Sequence, residues 1–303
     1  MIKSKTYLEV ETKKEPVIRT GDKVLDDFIS NESGFVVGSS IFLTGTSGAG
    51  KTTFAVTLQK VFKDYVTSLY SREMSAGSVK EQMKRYAISH QNAFIADRES
   101  HPTLEDYIKE LNELKPKVII IDSLQVIMKE DYANVPAEQA GFEVIQKLRN
   151  WTEKNNAVLI MVGHVNKDGE FEGRNTIKHM FDAHLEMIFN KKTKTRTISW
   201  SKNRKGEIGM LYYDFGKERI EFFTEEQWDA RKNNKKLSDF LFDTVVNYTA
   251  MYKNHKNFKE LSKELRKEWL NILKNNSLNS EYEMVFALTL KAKELLTKYN
   301  IEQ

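Results

Sequence analysis

The sequence predicts an α/β fold in which a mostly parallel sheet, covered on both faces, carries an antiparallel extension and is followed by a small helical domain. Three observations predict it. A glycine-rich phosphate-loop pattern, Gly45-Thr46-Ser47-Gly48-Ala49-Gly50-Lys51-Thr52, stands between the apolar run Ile41-Phe42-Leu43 and the helix-compatible stretch Phe54 to Phe62. Short apolar runs then alternate with helical patterns as far as Val162, as expected for β/α units whose strands are buried on both faces. Beyond Glu225 strand-like alternation stops and only helical faces remain.

Composition bounds what such a chain can be. With 303 residues, 40% of them apolar and 30% charged, it has the make-up of a globular protein with one large core and an appendage. The absence of cysteine removes disulfides and cysteine-ligated zinc or iron–sulfur chemistry, and the six histidines lack metal-ligand spacing. No apolar run approaches the roughly 18 residues of a membrane span, and Met1-Ile2-Lys3-Ser4-Lys5 leads into charge instead of a signal-peptide core, so a cytoplasmic location is expected. The net charge of +4 is uneven: from Arg231 onward 14 Lys/Arg face 9 Asp/Glu. A basic tail suits a polyanion partner, and it equally suits a solvated lysine-rich helical surface.

Taken in order, residues 1–16 read as an arm, with Tyr7-Leu8-Glu9-Val10 alternating like a short strand before Pro16. Thr20 to Phe28 gives a turn and a short amphipathic helix, and Gly34 to Ser39 leads into the first core strand. After the phosphate loop come a strand at Val66 to Tyr70, a helix from Gly77 to Ser89, a strand at Ala93 to Ile95 and a helix from Leu104 to Leu114. The strand Val118 to Asp122, a helix from Ala137 to Lys154 and the strand Val158 to Val162 complete the alternation. From Ala183 four strand-like runs, Leu185–Phe189, Thr197–Ser201, Met210–Phe215 and Ile220–Phe222, are separated by short polar turns and read as the antiparallel extension. Helical faces follow at Leu237, Phe240, Leu241, Val245 and Tyr248, then at Phe258, Leu261, Leu265, Trp269 and Ile272, then at Val285, Leu288, Leu295 and Tyr299. The expected domains are an arm at 1–16, an α/β domain at 17–225 and a basic helical domain at 226–303.

The chemistry gathers at strand ends. Gly45 to Thr53 predict a nucleoside-triphosphate site, with backbone N–H groups around the phosphates, Lys51 at the β- and γ-phosphates, and Thr52 on Mg²⁺. Asp122 ends its strand beside that loop, where a carboxylate can hold Mg²⁺ or cap the next turn. Glu73, in Ser71-Arg72-Glu73-Met74-Ser75, stands where a carboxylate could polarise an attacking water or complement a helix dipole. His164 ends another strand and reads as a γ-phosphate contact or a core histidine. The charged, glycine-punctuated stretch Asn166 to Arg174 reads as a mobile loop that reports the nucleotide state. Lys202-Asn203-Arg204-Lys205-Gly206 is a hairpin tip or a cationic finger for a phosphate in this subunit's site or a neighbour's.

In order, GTSGAGKT, SREMS, VIIIDSLQ, VGHVNKDGEFEG and KNRKG resemble the RecA-like ATPases and, among them, the RadA (Sms) branch-migration proteins, from Val17 to Phe223. The Ser-x-Glu-Met-Ser stretch is similar to the DnaB-type replicative helicases. The resemblance implies Glu73 as catalytic base, His164 as γ-phosphate sensor, and Lys202 and Arg204 acting across a subunit interface. It implies DNA loops near Val126 to Asn134 and Val165 to Arg174, with Lys129, Lys167, Arg174 and Lys178 as phosphate contacts. It further implies ATP and Mg²⁺ as cofactors, a hexameric ring on single-stranded DNA, and a recombination or replication partner for the C-terminal helices. The likeness has limits: RadA proteins normally begin with a four-cysteine zinc module and end in a Lon-protease-like domain, and Lys205 stands where they usually have Phe. A DnaB-type helicase, or a regulatory ATPase resembling KaiC with a protein partner, is the alternative.

Overall fold

The computed structural model describes residues 14–164, 176–216, 219–232, 256–275, 281–299 and 301. They fall into two compact units, Met1–Glu225 and Glu226–Gln303.

In the first unit a short antiparallel pair, β1 (Val17–Ile18) and β2 (Phe35–Val36), flanks α1 (Lys23–Ile29). Asp22 caps α1, accepting from the N–H groups of Val24 and Leu25. The chain continues through β3 (Ser40–Gly45), α2 (Lys51–Val61), β4 (Thr67–Ser71), α3 (Ala76–Arg85), β5 (Ala93–Asp97), α4 (Leu104–Leu114) and β6 (Val118–Asp122). Next come α5 (Leu124–Asp131), α6 (Ala137–Asn155), β7 (Val158–Val162), α7 (Thr176–His179), β8 (Ala183–Asn190), β9 (Thr195–Asn203), β10 (Met210–Phe215) and β11 (Ile220–Phe223).

Nine of these strands form one sheet in the order β11-β10-β9-β8-β3-β7-β6-β4-β5. From β8 to β5 every pair is parallel; β9, β10 and β11 add antiparallel. The apolar runs of the central strands serve two cores at once. Val118 and Ile120 of β6 face one core, which α2 and α3 close with Phe54, Leu58 and Val79. Ile119 and Ile121 face the other, with Tyr107, Val144, Ile145 and Leu148 of α4 and α6. Successive side chains point to opposite faces, so a strand covered on both sides must be apolar throughout.

Helix boundaries follow local chemistry. Thr103 caps α4 by accepting from the Asp106 N–H, and Lys115 ends it in the left-handed region at φ 48°. α3 stops at Arg85, earlier than Ser89, because Ala87 takes φ 51°. The phosphate loop's last residues, Lys51 and Thr52, already belong to α2.

Two expectations are corrected. β8, read as part of the antiparallel extension, is parallel to β3, with Ile41 opposite Ala183 and Gly45 opposite Met187, and the antiparallel pairing starts with β9. The segment near Val126 to Asn134, expected as a loop, is helical as far as Asp131, with Leu124, Ile127 and Met128 buried on one face. The expected strand at Tyr7 to Val10 and the expected helix at Leu237 to Tyr248 lie outside the described residues.

Residues 225–232 are helical (α8), beginning at the last residue of the first unit, and the second unit goes on to α9 (Phe258–Asn275) and α10 (Glu281–Lys298). The last two pair as an antiparallel hairpin around Leu261, Leu265, Trp269, Leu288, Ala292, Leu295 and Leu296. Asn257 donates to the Tyr299 carbonyl, and Lys298 pairs with Glu264. Among the described residues, no helix is long and apolar enough to cross a membrane.

Candidate nucleotide site

Gly45 ends β3 and Gly50 caps α2, and each is required by what sits against it. A Cβ at Gly45 would lie 2.1 Å from the Met187 carbonyl oxygen of β8; one at Gly50, where φ is 94°, would lie 2.2 Å from the Phe215 ring. The loop between them is held by β8 and β10. Thr46 N–H donates to Met187 O at 3.0 Å, its hydroxyl accepts from Phe189 N–H at 3.0 Å, and Tyr213 donates its hydroxyl to Ala49 O at 2.6 Å. Ser47 and Gly48 are exposed, Ala49 is buried, and Lys51, Thr52 and Thr53 are half-buried in the first turn of α2. No side chain caps that helix, so its first-turn N–H groups are left for an anion. The Lys51 ammonium donates to the Gly45 carbonyl at 2.9 Å, and burial pulls its pKa down.

Asp122 lies at the C-terminal end of β6, 1% exposed, with Oδ2 accepting from the Thr52 hydroxyl at 2.8 Å and Oδ1 buried without a hydrogen-bond partner. Burial raises its pKa to about 6. An orphaned carboxylate oxygen beside a threonine hydroxyl is a hard oxygen donor set of the kind Mg²⁺ takes with substrate phosphates. Among the described residues no group of three acidic, histidine or cysteine side chains forms a dedicated cage, so phosphates and water would complete the shell.

Glu73 follows β4, whose last residue Ser71 is in register with Asp122. Its Oε1 accepts from the Ser123 hydroxyl at 2.5 Å and is bonded to His164 Nε2. The His164 contact, ahead of the burial that opposes it, holds the Glu73 pKa below the ordinary value, and the same contact raises His164. The two side chains are 30% and 40% exposed, open enough to meet a ligand. Gln125 of α5 fixes the histidine backbone by donating to its carbonyl at 3.0 Å.

Lysine and arginine of the Lys202–Gly206 motif lie elsewhere. Asn203 is opposite Ala183, and β3 pairs Ala183 with Ile41, so the motif occupies the sheet edge where β3 begins, whereas the phosphate loop leaves where β3 ends. Lys202 donates to the carbonyls of His179 and Phe181, and Arg204 faces Asp182 at 3.6 Å. A finger reaching this subunit's own phosphate loop is thereby corrected: the strands hold the two apart. Asn203 and Gly206 build the turn, with Asn203 donating to Ile29 O and a Gly206 Cβ lying only 2.9 Å from Ser30 Cα. Lys205 pairs with Glu15 at 2.5 Å.

Of the expected DNA contacts, Lys129 is exposed in the last turn of α5 and Lys178 is half-buried in α7. Lys167 and Arg174, with the rest of the expected loop Val165 to Arg174, lie outside the described residues. Sequence reasoning passed over Ser123, although it adjoins Asp122, and also Arg72, Tyr213 and the stack in which the Arg196 guanidinium lies 4.3 Å from the Phe189 ring and 4.9 Å from the Phe215 ring. Only the first two had a local signal, in their adjacency to acidic residues already singled out.

Residues 41–179 match the family described as "AAA domain". The chain is 28% identical over 211 residues to DNA repair protein RadA of Haemophilus influenzae, an alignment covering 69% of this chain and 45% of that one. It is 28% identical over 205 residues to the RadA protein of Escherichia coli, covering 67% and 44%. With RadA of Streptococcus pyogenes it shares 31% over 188 residues, covering 60% and 41%. It thus spans less than half the length of the curated relatives it matches. A KaiC-like protein of Pyrococcus horikoshii superposes with a TM-score of 0.58 at 18% identity, over 70% of this chain and 100% of that one. The chain therefore carries a region that matches the AAA domain family, is similar in sequence to RadA proteins, and shares the α/β fold of the KaiC-like protein.

Proposed function

We propose that the chain is an ATP-hydrolysing motor of RadA type that binds single-stranded DNA and works in recombination, branch migration or repair, as a hexameric ring with Mg²⁺. The observation that carries this reading is the convergence of Lys51, Thr52, Asp122, Glu73 and His164 on one sheet edge. Similarity to proteins named for DNA repair supplies the substrate class.

In this reading the α2 N-terminus and Lys51 bind the phosphates, and Thr52 with Asp122 would hold Mg²⁺. When bound, the ion neutralises charge on the phosphate oxygens. Glu73 orients the attacking water and takes its proton, and Ser123 holds the carboxylate in place. His164 exchanges its Glu73 partner for the γ-phosphate, which makes it a sensor of triphosphate. Lys129, Lys167, Arg174 and Lys178 contact the DNA backbone, and Lys202 and Arg204 serve the neighbouring subunit's site.

ATP turnover measured with and without single-stranded DNA tests the proposal. Turnover should rise with DNA, vanish in Lys51→Ala together with nucleotide binding, and vanish in Glu73→Gln with binding retained. DNA affinity should fall steeply with salt. Turnover indifferent to DNA would point instead to a regulatory ATPase with a protein partner, and normal turnover in Glu73→Gln would remove the base assignment.

A further inference from the structure

The residue before Glu73 is an arginine whose side chain is 1% exposed. Its guanidinium reaches three separate pieces of the fold. One nitrogen donates to Glu130 at 2.6 Å and to Asp131 at 2.9 Å, both at the C-terminal end of α5. The other donates to the Tyr70 hydroxyl at 2.5 Å and to the Pro102 carbonyl at 2.9 Å, in the segment that leads into α4. The Arg72 backbone N–H donates to the Asp122 carbonyl at 2.6 Å, so the main chain ties the residue to the end of β6 while the side chain ties it to α5 and to the segment before α4.

The carboxylates it meets are themselves shared. Asp131 accepts from the Leu104 N–H at 2.6 Å at the start of α4, and Glu130 pairs with Arg98 at 2.9 Å. Burying a guanidinium is costly unless its donors are matched; here the two terminal nitrogens find acceptors on Glu130, Asp131, Tyr70 and Pro102, while Nε is buried without a hydrogen-bond partner. A space of that size could be filled by an apolar side chain with no desolvation cost. What the guanidinium adds is a fixed geometry, because its planar fork holds several acceptors at once.

We propose that Arg72 is a positioning residue for Glu73: by clamping the end of β4 to α5 and to the entry of α4, it sets the carboxylate beside Ser123 and Asp122. The inference rests on the reading of Glu73 as the base. It also makes Glu130, through Arg72, a remote determinant of the same geometry. Loosening the clamp lets Glu73 drift from the attacking water while the phosphate loop, built on other strands, keeps its grip on ATP.

The test is steady-state ATP turnover of the full chain with Mg²⁺, comparing Arg72→Lys, Glu130→Gln and the double variant, with folding checked by thermal melting. A lysine keeps the charge and loses the fork. Arg72→Lys should lower kcat about tenfold or more with KM for ATP unchanged within about twofold, and the double variant should be no worse than the poorer single one, as for two groups acting through one contact. Glu130 is 24% exposed, so Glu130→Gln tolerates the change and decides the matter if Arg72→Lys does not fold. A folded Arg72→Lys with parental kcat, or a Glu130→Gln with parental kcat where the first does not fold, overturns the proposal. So does a fall confined to KM. Glu73→Gln run alongside separates the two failures: if it stops turnover while the clamp variants do not, only the clamp is wrong.

Discussion

Burial makes Asp122 harder to ionise than an ordinary aspartate, so that below about pH 6 its neutral form dominates. Its pKa of about 6 lies above the ordinary 3.8, with burial as the main cause. In the unliganded protein this group costs stability as pH rises from about 4 to 6, on the order of 2–3 kcal/mol, because the unfolded chain gives up the proton first. Mg²⁺ binding needs the ionised form, so the Mg²⁺-dependent part of ATP affinity should weaken as pH falls through 6. Titrating a fluorescent ATP analogue with Mg²⁺ between pH 5 and 7.5 checks this, and Asp122→Asn should flatten the dependence. Gly50 offers a second residue-level test. Its left-handed φ of 94° and the Phe215 ring 2.2 Å from a notional Cβ both oppose a side chain. Gly50→Ala should weaken ATP binding about tenfold, from ~1–2 kcal/mol of backbone strain plus displacement of the ring.

Among the elements, how far the sequence could be read depended on where the determining contacts lie. β6 and β7 match their expected limits because both faces are buried and each position must be apolar, while α4 carries its own cap at Thr103. For these the information is local. α5 is only eight residues long, too short for a convincing period, and β8's parallel pairing depends on β3, more than a hundred residues away. The site divides in the same way. Lys51, Thr52 and Asp122 were legible from motif and strand end; the Glu73 contacts to Ser123 and His164 join three strand ends that no local pattern links. The helices differ in what they lend the fold. Thr103→Ala removes a cap worth about 1 kcal/mol, whereas Leu148→Ala, fully buried under the sheet, should cost ~2–5 kcal/mol. Urea unfolding followed by circular dichroism should rank them in that order.

At the scale of the molecule, the phosphate loop and the Lys202–Gly206 turn lie at opposite edges of one sheet. A head-to-tail ring, a heterologous assembly, is the arrangement in which opposite edges of two copies can meet. If Arg204 acts on a neighbour's nucleotide, Arg204→Ala and Lys51→Ala should each be inactive alone and regain turnover when mixed, because some interfaces then join an intact loop to an intact arginine. Mixing with no recovery would remove the trans role. The geometry of β9 gives this arrangement a mechanical meaning. One end of the strand, at Arg196, lies against the aromatic rings beside Gly50, and the other, at Asn203, opens into the cationic turn. Nine extended residues make a strut of roughly 27–30 Å, braced by β8 on one side and β10 on the other. In a closed ring of the proposed kind such struts would lie nose to tail, so that a displacement at one nucleotide would travel along β9 toward the next.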